Sequence, residues 1–452
     1  MQGRMHHASR ALGTAAAVAL TIGTLAACSA DSTGDTGSAD SSTGDIAELD
    51  AALEEGGTIS YWGWASWTQA QIDAFELEYP NVTVDFVSTT SADDHNVKLQ
   101  NAITAGNGAP DAVQLEYQSF PQFVLPGALA DLSALGMDEL EDQFTASTWS
   151  QVSSDGKLVG LPQDSGPMAM FYNARVFEEQ GLDVPTTWDD YTAAAEALRP
   201  ADVYITNDDG GYSGLGLGLI WQAGGQPFQA DGENVTIDLQ DEGSVRWADT
   251  WTGLLQSDTL AMIPGGTEEW GKALGDGTIA TVVAGGWFAG LLAGAAPDGA
   301  GDWRVAPMPT YDGGAAVSAE QGGSGQAVLE SSENKALAAA FLRWLNTSET
   351  SVGIVMDAGG FPTTRAQLED PGFLDIESEY FGGQKINQVL ADAAESVPSG
   401  WQYLPWQAYA NSIYADTVGQ VYLSGGDIND GLIQWQDENV AYGNDQGFSI
   451  DD

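Results

Sequence analysis

The sequence predicts a two-lobed α/β protein, and three observations carry that expectation. Strand-like and helix-like segments alternate between residues 58 and 115. The run Pro162-Gln163-Asp164-Ser165-Gly166-Pro167 then breaks regular structure before a new apolar strand, as a crossover into a second unit would. The chain is also long and apolar enough for more than one packing unit, with 452 residues, 43% of them hydrophobic, and 15 Trp.

In the first lobe, Thr58–Trp62 reads as a strand, and Gln69–Tyr79 places Ile72, Phe75 and Tyr79 at helical spacing. Pro80-Asn81 stops that helix, after which Val82, Val84 and Phe86 alternate as a second strand. His95–Ala105 is a helix closed by Gly106-Asn107-Gly108, and Ala112–Leu115 is a third, short apolar strand. The order is β-α-β-α-β, and in such sheets ligands sit beyond the carboxyl ends of the strands. Those ends carry Trp64, Ser88 to Asp93, and Glu116-Tyr117. Asp155-Gly156 is a hairpin turn leading to Lys157–Leu161.

In the second lobe, Met168–Tyr172 opens as a strand, and Thr187 caps a helix with Asp190 as its capping-box partner. Gly214–Gly225 is a glycine-rich helical stretch around Trp221, and Trp247 and Trp251 lie on a further helix. Strands follow at Ile279–Ala284, Trp303–Met308 and Ser324–Leu329, before a helix over Glu333–Leu345 and a mostly helical remainder. Trp247, Trp251 and Trp344 are expected in the core.

Charge and cysteine usage exclude several classes. Thirteen basic against 65 acidic residues give a net charge of −52, which phosphate backbones would repel, so no nucleic acid is expected. The same excess suggests adaptation to salt. One Cys and three His leave no zinc site and no Cys/His catalysis, and neither a metal nor a cofactor is expected. Asp427–Gly431 starts like a calcium loop but lacks the closing Glu, and reads as a helix N-terminal turn.

The N-terminus reads as a targeting segment over residues 1–27: Arg4 and Arg10 precede the apolar run Ala11–Leu25. Leu25-Ala26-Ala27-Cys28 resembles the lipobox of bacterial lipoproteins, and its cysteine is the chain's only one. The resemblance implies an acylated Cys28 and a protein lipid-anchored on the extracellular face of the cell membrane; Ser29–Gly44, rich in Ser, Thr, Gly and Asp, has too little apolar surface to order, so 28–57 reads as a flexible tether.

Several stretches, in order, resemble one family: Thr58–Trp64 (TISYWGW), Tyr79–Phe86 (YPNVTVDF), Leu99–Glu116 (LQNAITAGNGAPDAVQLE), Gly156–Asn173 (GKLVGLPQDSGPMAMFYN), Val184–Tyr191 (VPTTWDDY), Gly277–Phe288 (GTIATVVAGGWF), Asp302–Pro309 (DWRVAPMP) and Glu333–Leu345 (ENKALAAAFLRWL). Together they are similar to the extracellular solute-binding proteins of ATP-binding-cassette importers, in the sugar-binding branch that includes maltose-binding proteins. The resemblance implies a periplasmic-binding-protein-like fold with a hinge and an interlobe ligand cleft. Lobe 1 would comprise 58–163 and 305–347, and lobe 2 164–304 and 348–452. It further implies a monomer that captures a mono- or oligosaccharide without chemistry and delivers it to the permease's transmembrane subunits. Trp64, Glu116, Asp164, Trp287, Gly323 and Arg365 fall where relatives place cleft residues.

A sugar offers hydroxyl rims and C–H faces, so its pocket needs aromatic walls and fixed donors and acceptors. Trp64, Trp287 and Trp401, at predicted loop tips, and Trp221 are the candidate walls; Glu116 and Asp164 are the candidate acceptors; Gly323 allows close approach to backbone N–H groups. Two other classes stay open at this point. A secreted carbohydrate-active hydrolase could use Glu116 and Asp164 as paired carboxylates, and a surface adhesin would bind a macromolecule.

Overall fold

The computed structural model describes residues 46–89 and 92–452; the expected signal segment, Cys28 and the tether up to residue 45 lie outside the described residues. Lobe 1 is built on a five-stranded sheet in the order Val82–Ser88, Gly57–Gly63, Ala112–Glu116, Ser324–Val328, Leu161–Asp164. The first three strands are parallel, and Ser324–Val328 runs antiparallel between Ala112–Glu116 and Leu161–Asp164. The alternation read at Val82–Phe86 is that of an edge strand with one face covered, whereas Ala112–Glu116 is buried almost throughout, as a central strand covered on both faces must be. Helix Thr68–Glu78 buries Ile72 and Phe75 against helix Lys335–Thr347, where Phe75 and Phe341 meet edge to face with centroids 4.9 Å apart.

One expectation needs correction. The tether assigned to 28–57 includes a helix, Ile46–Glu55, whose Leu49 and Leu53 are buried one turn apart in the lobe 1 core. That helix packs on Lys335–Thr347, and Asp50 pairs with Arg343. Two leucines at i, i+4 were enough to dock a short helix that composition alone assigned to a linker.

Lobe 2 holds a three-stranded antiparallel sheet, Thr281–Gly285, Met168–Asn173, Trp303–Ala306, wrapped by helices. Helix Trp188–Leu198 starts from the expected capping box, with the Thr187 side chain accepting from Asp190 N–H and the Asp190 carboxylate from Thr187 N–H. Trp247 and Trp251 of helix Glu242–Gln256 are fully buried, as is Trp435 of helix Ile428–Gln446. Trp344 lies in the lobe 1 core, as its spacing required. Asp427 caps helix Ile428–Gln446 by accepting from Asn429 N–H, the N-terminal turn read from sequence.

The chain crosses between lobes three times, near 165, 320 and 361. The crossings are tied together: Met168 N–H donates to Ala319 O (2.9 Å), Gln321 N–H to Gly166 O (2.8 Å), and Ser165 N–H to Phe361 O (3.2 Å). Two expected boundaries therefore move. Trp303–Ala306 pairs with Met168–Asn173, so lobe 1 does not resume at 305 but at Ser324. Helix Glu349–Asp357 packs on Thr68–Glu78, so lobe 1 does not end at 347. Among the described residues no helix is long and apolar enough to cross a membrane.

Candidate functional site

Strand register builds the floor of the cleft. Ser324 lies opposite Glu116 on one side and Asp164 on the other, with an irregularity between Ser324 and Gly325. The two carboxylates singled out in the sequence thus flank one residue, at the sheet end that faces lobe 2. Asp164 Oδ1 accepts from Ser324 N–H at 2.6 Å, and burial pushes its carboxyl up to about 6 against the Ser324 donors, with nearby Glu116 adding to the rise. Gly323 holds φ at +92°, and a Cβ there would sit 2.7 Å from the Tyr117 ring and 3.1 Å from Asp164 O. Only glycine lets the crossing lie that close to Tyr117.

The walls come from both lobes. Glu116, Tyr117 and Gln118 face Tyr212, Ser213 and Leu217 at the start of helix Ser213–Gln222 across a small polar pocket floored by Gln321–Gly323. Hydrogen bonds cross it: Gln118 donates to Glu116 (2.7 Å), Asn411 to Gln118 (3.0 Å), and Ser213 to Asn411 (3.0 Å). Tyr212 and Gln321 also line a neighbouring cavity of about 460 Å³ with Asp208, Trp270 and Trp287. Trp287 is 38% and Tyr212 55% exposed, uncommon for rings of that size. The Trp287 indole N–H donates to Gln321 O at 2.7 Å and Gln321 Oε1 accepts from Gly285 N–H at 2.9 Å, so the ring is fixed by the second crossing. Asp208, buried and raised to about 6 mainly by that burial, accepts from Trp251, Tyr422 and Gly210, which pins the loop carrying Tyr212.

Of the predicted residues, the structure brings Glu116, Asp164, Trp287 and Gly323 to this cleft. Trp64 sits at the expected strand end, half-buried, its ring edge-on to His95 at 5.1 Å and its backbone N–H donating to Gln114 Oε1; it lines neither the polar pocket nor the cavity beside it. Trp221 does not face the cleft: it is buried, stacked on Trp401 at 5.1 Å and 6°, with its N–H on Pro398 O. Trp401 lines a neighbouring cavity of about 320 Å³ with Phe120 and Val124 of lobe 1, and Tyr117 and Tyr403 line both it and the small polar pocket. Arg365 is spent on structure, donating to Phe144 O (2.9 Å) and pairing with Glu395 (2.9 Å). Sequence reasoning missed Tyr212, Gln321 and Asn411. A signal existed for Tyr212, which directly precedes the glycine-rich helix, but the aromatic weight of that stretch had gone to Trp221.

Two lobes on a triple crossing, with a polar, ring-lined cleft between them, define a hinged ligand-binding protein. Residues 61–351 match the family of bacterial extracellular solute-binding proteins, and the chain belongs to it. It is therefore an extracellular protein. It is 28% identical over 391 residues to the arabinooligosaccharide-binding protein of Halalkalibacterium halodurans, covering 81% of this chain and 86% of that one. Two solved structures are also similar. The transporter-associated binding protein of B. animalis subsp. lactis, in complex with β-1,6-galactobiose, is 36% identical with a TM-score of 0.74 and covers 87% of this chain and 99% of that chain. The galacto-N-biose-/lacto-N-biose I-binding protein of Bifidobacterium longum, in complex with lacto-N-biose, is 26% identical with a TM-score of 0.76, covering 88% and 99%. These relatives are binding proteins.

Proposed function

We propose that this protein is the substrate-binding component of an ATP-binding-cassette importer. It captures a short oligosaccharide in the interlobe cleft and delivers it to the permease's transmembrane subunits. The observation that carries this reading is the pairing of partly exposed rings, Trp287 and Tyr212, with the fixed polar rim of Glu116, Gln118 and Asn411, beneath which Asp164 holds Ser324 N–H. Rings stack on the C–H faces of a sugar while the rim meets its hydroxyls. Relatives named for arabino-oligosaccharide, β-1,6-galactobiose and lacto-N-biose support a ligand of two or more sugar units. In this reading the carboxylates accept hydrogen bonds from sugar hydroxyls and break no bond, the protein acts as a monomer, and an acylated Cys28 holds it at the membrane.

Calorimetric titration against arabino- and galacto-oligosaccharides tests the ligand class. Binding without turnover is expected, and silence across the whole panel refutes it. Cys28→Ser should release the protein into the medium, because the acyl chain is the membrane attachment; retention at the membrane refutes the anchor.

A further inference from the structure

Between the first two crossings lies an acid that no sequence motif singles out. Glu320 is 2% exposed and enters no ion pair among the described residues. Its carboxylate accepts instead from three uncharged donors. Gly166 N–H lies 2.7 Å from Oε2, Ser165 Oγ 2.9 Å from Oε2 and 3.0 Å from Oε1, and Ser147 Oγ 3.2 Å from Oε1. Ser165 and Gly166 belong to the first crossing and Ser147 to helix Ala146–Gln151 of lobe 1, so one side chain on the second crossing gathers both. A Cβ on Gly166 would fall 2.1 Å from Gln321 O, which shows how tightly the two crossings are pressed together there. The next residue, Gln321, holds the Trp287 indole and Gly285 N–H, and two residues further Gly323 O accepts from Tyr117 N–H at 3.2 Å.

We infer that Glu320 is a positioning residue of the cleft: its ionised carboxylate fixes the second crossing in the register that presents the Trp287 ring, and uptake of a proton loosens that register, so ligand capture is linked to protonation. The inference rests on the reading of this cleft as the ligand site. The titratable groups facing Glu320 are Asp164 at the end of Leu161–Asp164, Tyr117 beside Ala112–Glu116, and Tyr403 in the loop before helix Gln407–Tyr414. Burial raises Glu320 to about 7, opposed by its Ser165, Gly166 and Ser147 donors and reinforced by Asp164. Protonation turns the charge-assisted Gly166 and Ser165 bonds into weaker neutral ones and adds an O–H that Ser165 or Ser147 can accept only by turning its own hydroxyl away from the carboxylate. The proton comes from and returns to solvent.

The first test uses the ligand-free protein, with tryptophan emission followed from pH 5.5 to 8.5. A step centred near 7 is expected, absent in Glu320→Gln and in Trp287→Phe. Asp164→Asn should keep the step and move its midpoint down, because a like charge is removed. Ser165→Ala should move it up, because a donor to the ionised form is lost, and this variant decides the matter if Glu320→Gln does not fold. A wild-type step surviving in Glu320→Gln or Trp287→Phe, or an unmoved midpoint in Ser165→Ala, overturns the assignment. The second test measures β-1,6-galactobiose affinity at pH 6 and pH 8. A several-fold loss at the lower pH is expected in the wild type and none in Glu320→Gln; equal affinity at both values overturns the linkage. Absence of binding at every pH refutes the ligand assignment instead, while the emission step still reports on Glu320.

Discussion

Two groups of tryptophans in lobe 2 look alike in sequence and differ in the fold. Trp287 follows Gly285-Gly286, Trp401 follows Gly400, and Trp221 sits in a glycine-rich helix. Trp287 stands half-open beside the cleft with its N–H tied to the crossing, whereas Trp221 and Trp401 lie face to face and buried. The difference arises across the ring and not along the chain. Trp221 meets a partner delivered from 180 residues downstream, while Trp287 meets the hinge on its N–H edge and open space beyond it. A loop-tip aromatic is therefore open to a ligand only where no distant segment arrives to cover it.

The comparison breaks most sharply with alanine. Trp221→Ala should cost about 3–5 kcal/mol of stability, as large-to-small core changes do, while sugar affinity in the surviving folded protein stays near the wild-type value. Thermal melts and titration on one sample check this; unchanged melting would mean the Trp221–Trp401 stack is not core. Trp287→Ala should do the reverse, weakening binding by roughly 2–4 kcal/mol with little effect on the ligand-free melt. Lost stability with intact affinity would move Trp287 into the core class.

A pH series sharpens the same contrast at the hinge. Glu320 is raised from 4.5 to about 7 in the fold, so the native state holds a proton that the unfolded chain has released. Its contribution to stability is complete below about 4.5 and lost as pH rises through about 7. Asp164 and Asp208, each raised from 3.8 to about 6, act in the same direction over a lower window. Stability should fall between pH 5 and 7.5, and Glu320→Gln should remove a part of that fall on the order of 2 kcal/mol. An identical slope in wild type and variant would show that Glu320 does not carry it. The smallest effect expected is on the surface: with a net charge of −52, melting temperature should rise by a few degrees from low salt to about 1 M as screening shortens to about 3 Å. A flat profile would count against salt adaptation.

What was legible in the sequence was local. The Thr187/Asp190 capping box, the alternation at Val82–Phe86 and the helical spacing of Trp247 and Trp251 depend on neighbours within a turn or two, and each fell where it was read. What was not legible depended on pairing at long range. Trp303–Ala306 reads as a strand from its residues, but nothing in them says that its partner is Met168–Asn173, and the lobe boundary slipped with it. The site divided in the same way. Glu116 and Asp164 could be placed because strand ends can be read, whereas Glu320, one acid among 65, is set apart only by the Ser147, Ser165 and Gly166 donors that the hinge folds around it.

The sheet order of lobe 1 also bears on how the chain reaches its fold. Strand Ser324–Val328 lies between Ala112–Glu116 and Leu161–Asp164, yet the whole lobe 2 sheet of Met168–Asn173, Thr281–Gly285 and Trp303–Ala306 is encoded before it. A chain emerging from its N-terminus cannot close lobe 1 until that strand arrives, and until then it carries two unpaired β edges with a gap of one strand between them. Pairings this distant make folding slow, because loop closure must come before the contacts that reward it. For a polypeptide that has to cross a membrane before it can work, such lateness is an asset, because lobe 1 cannot close before most of the chain is through.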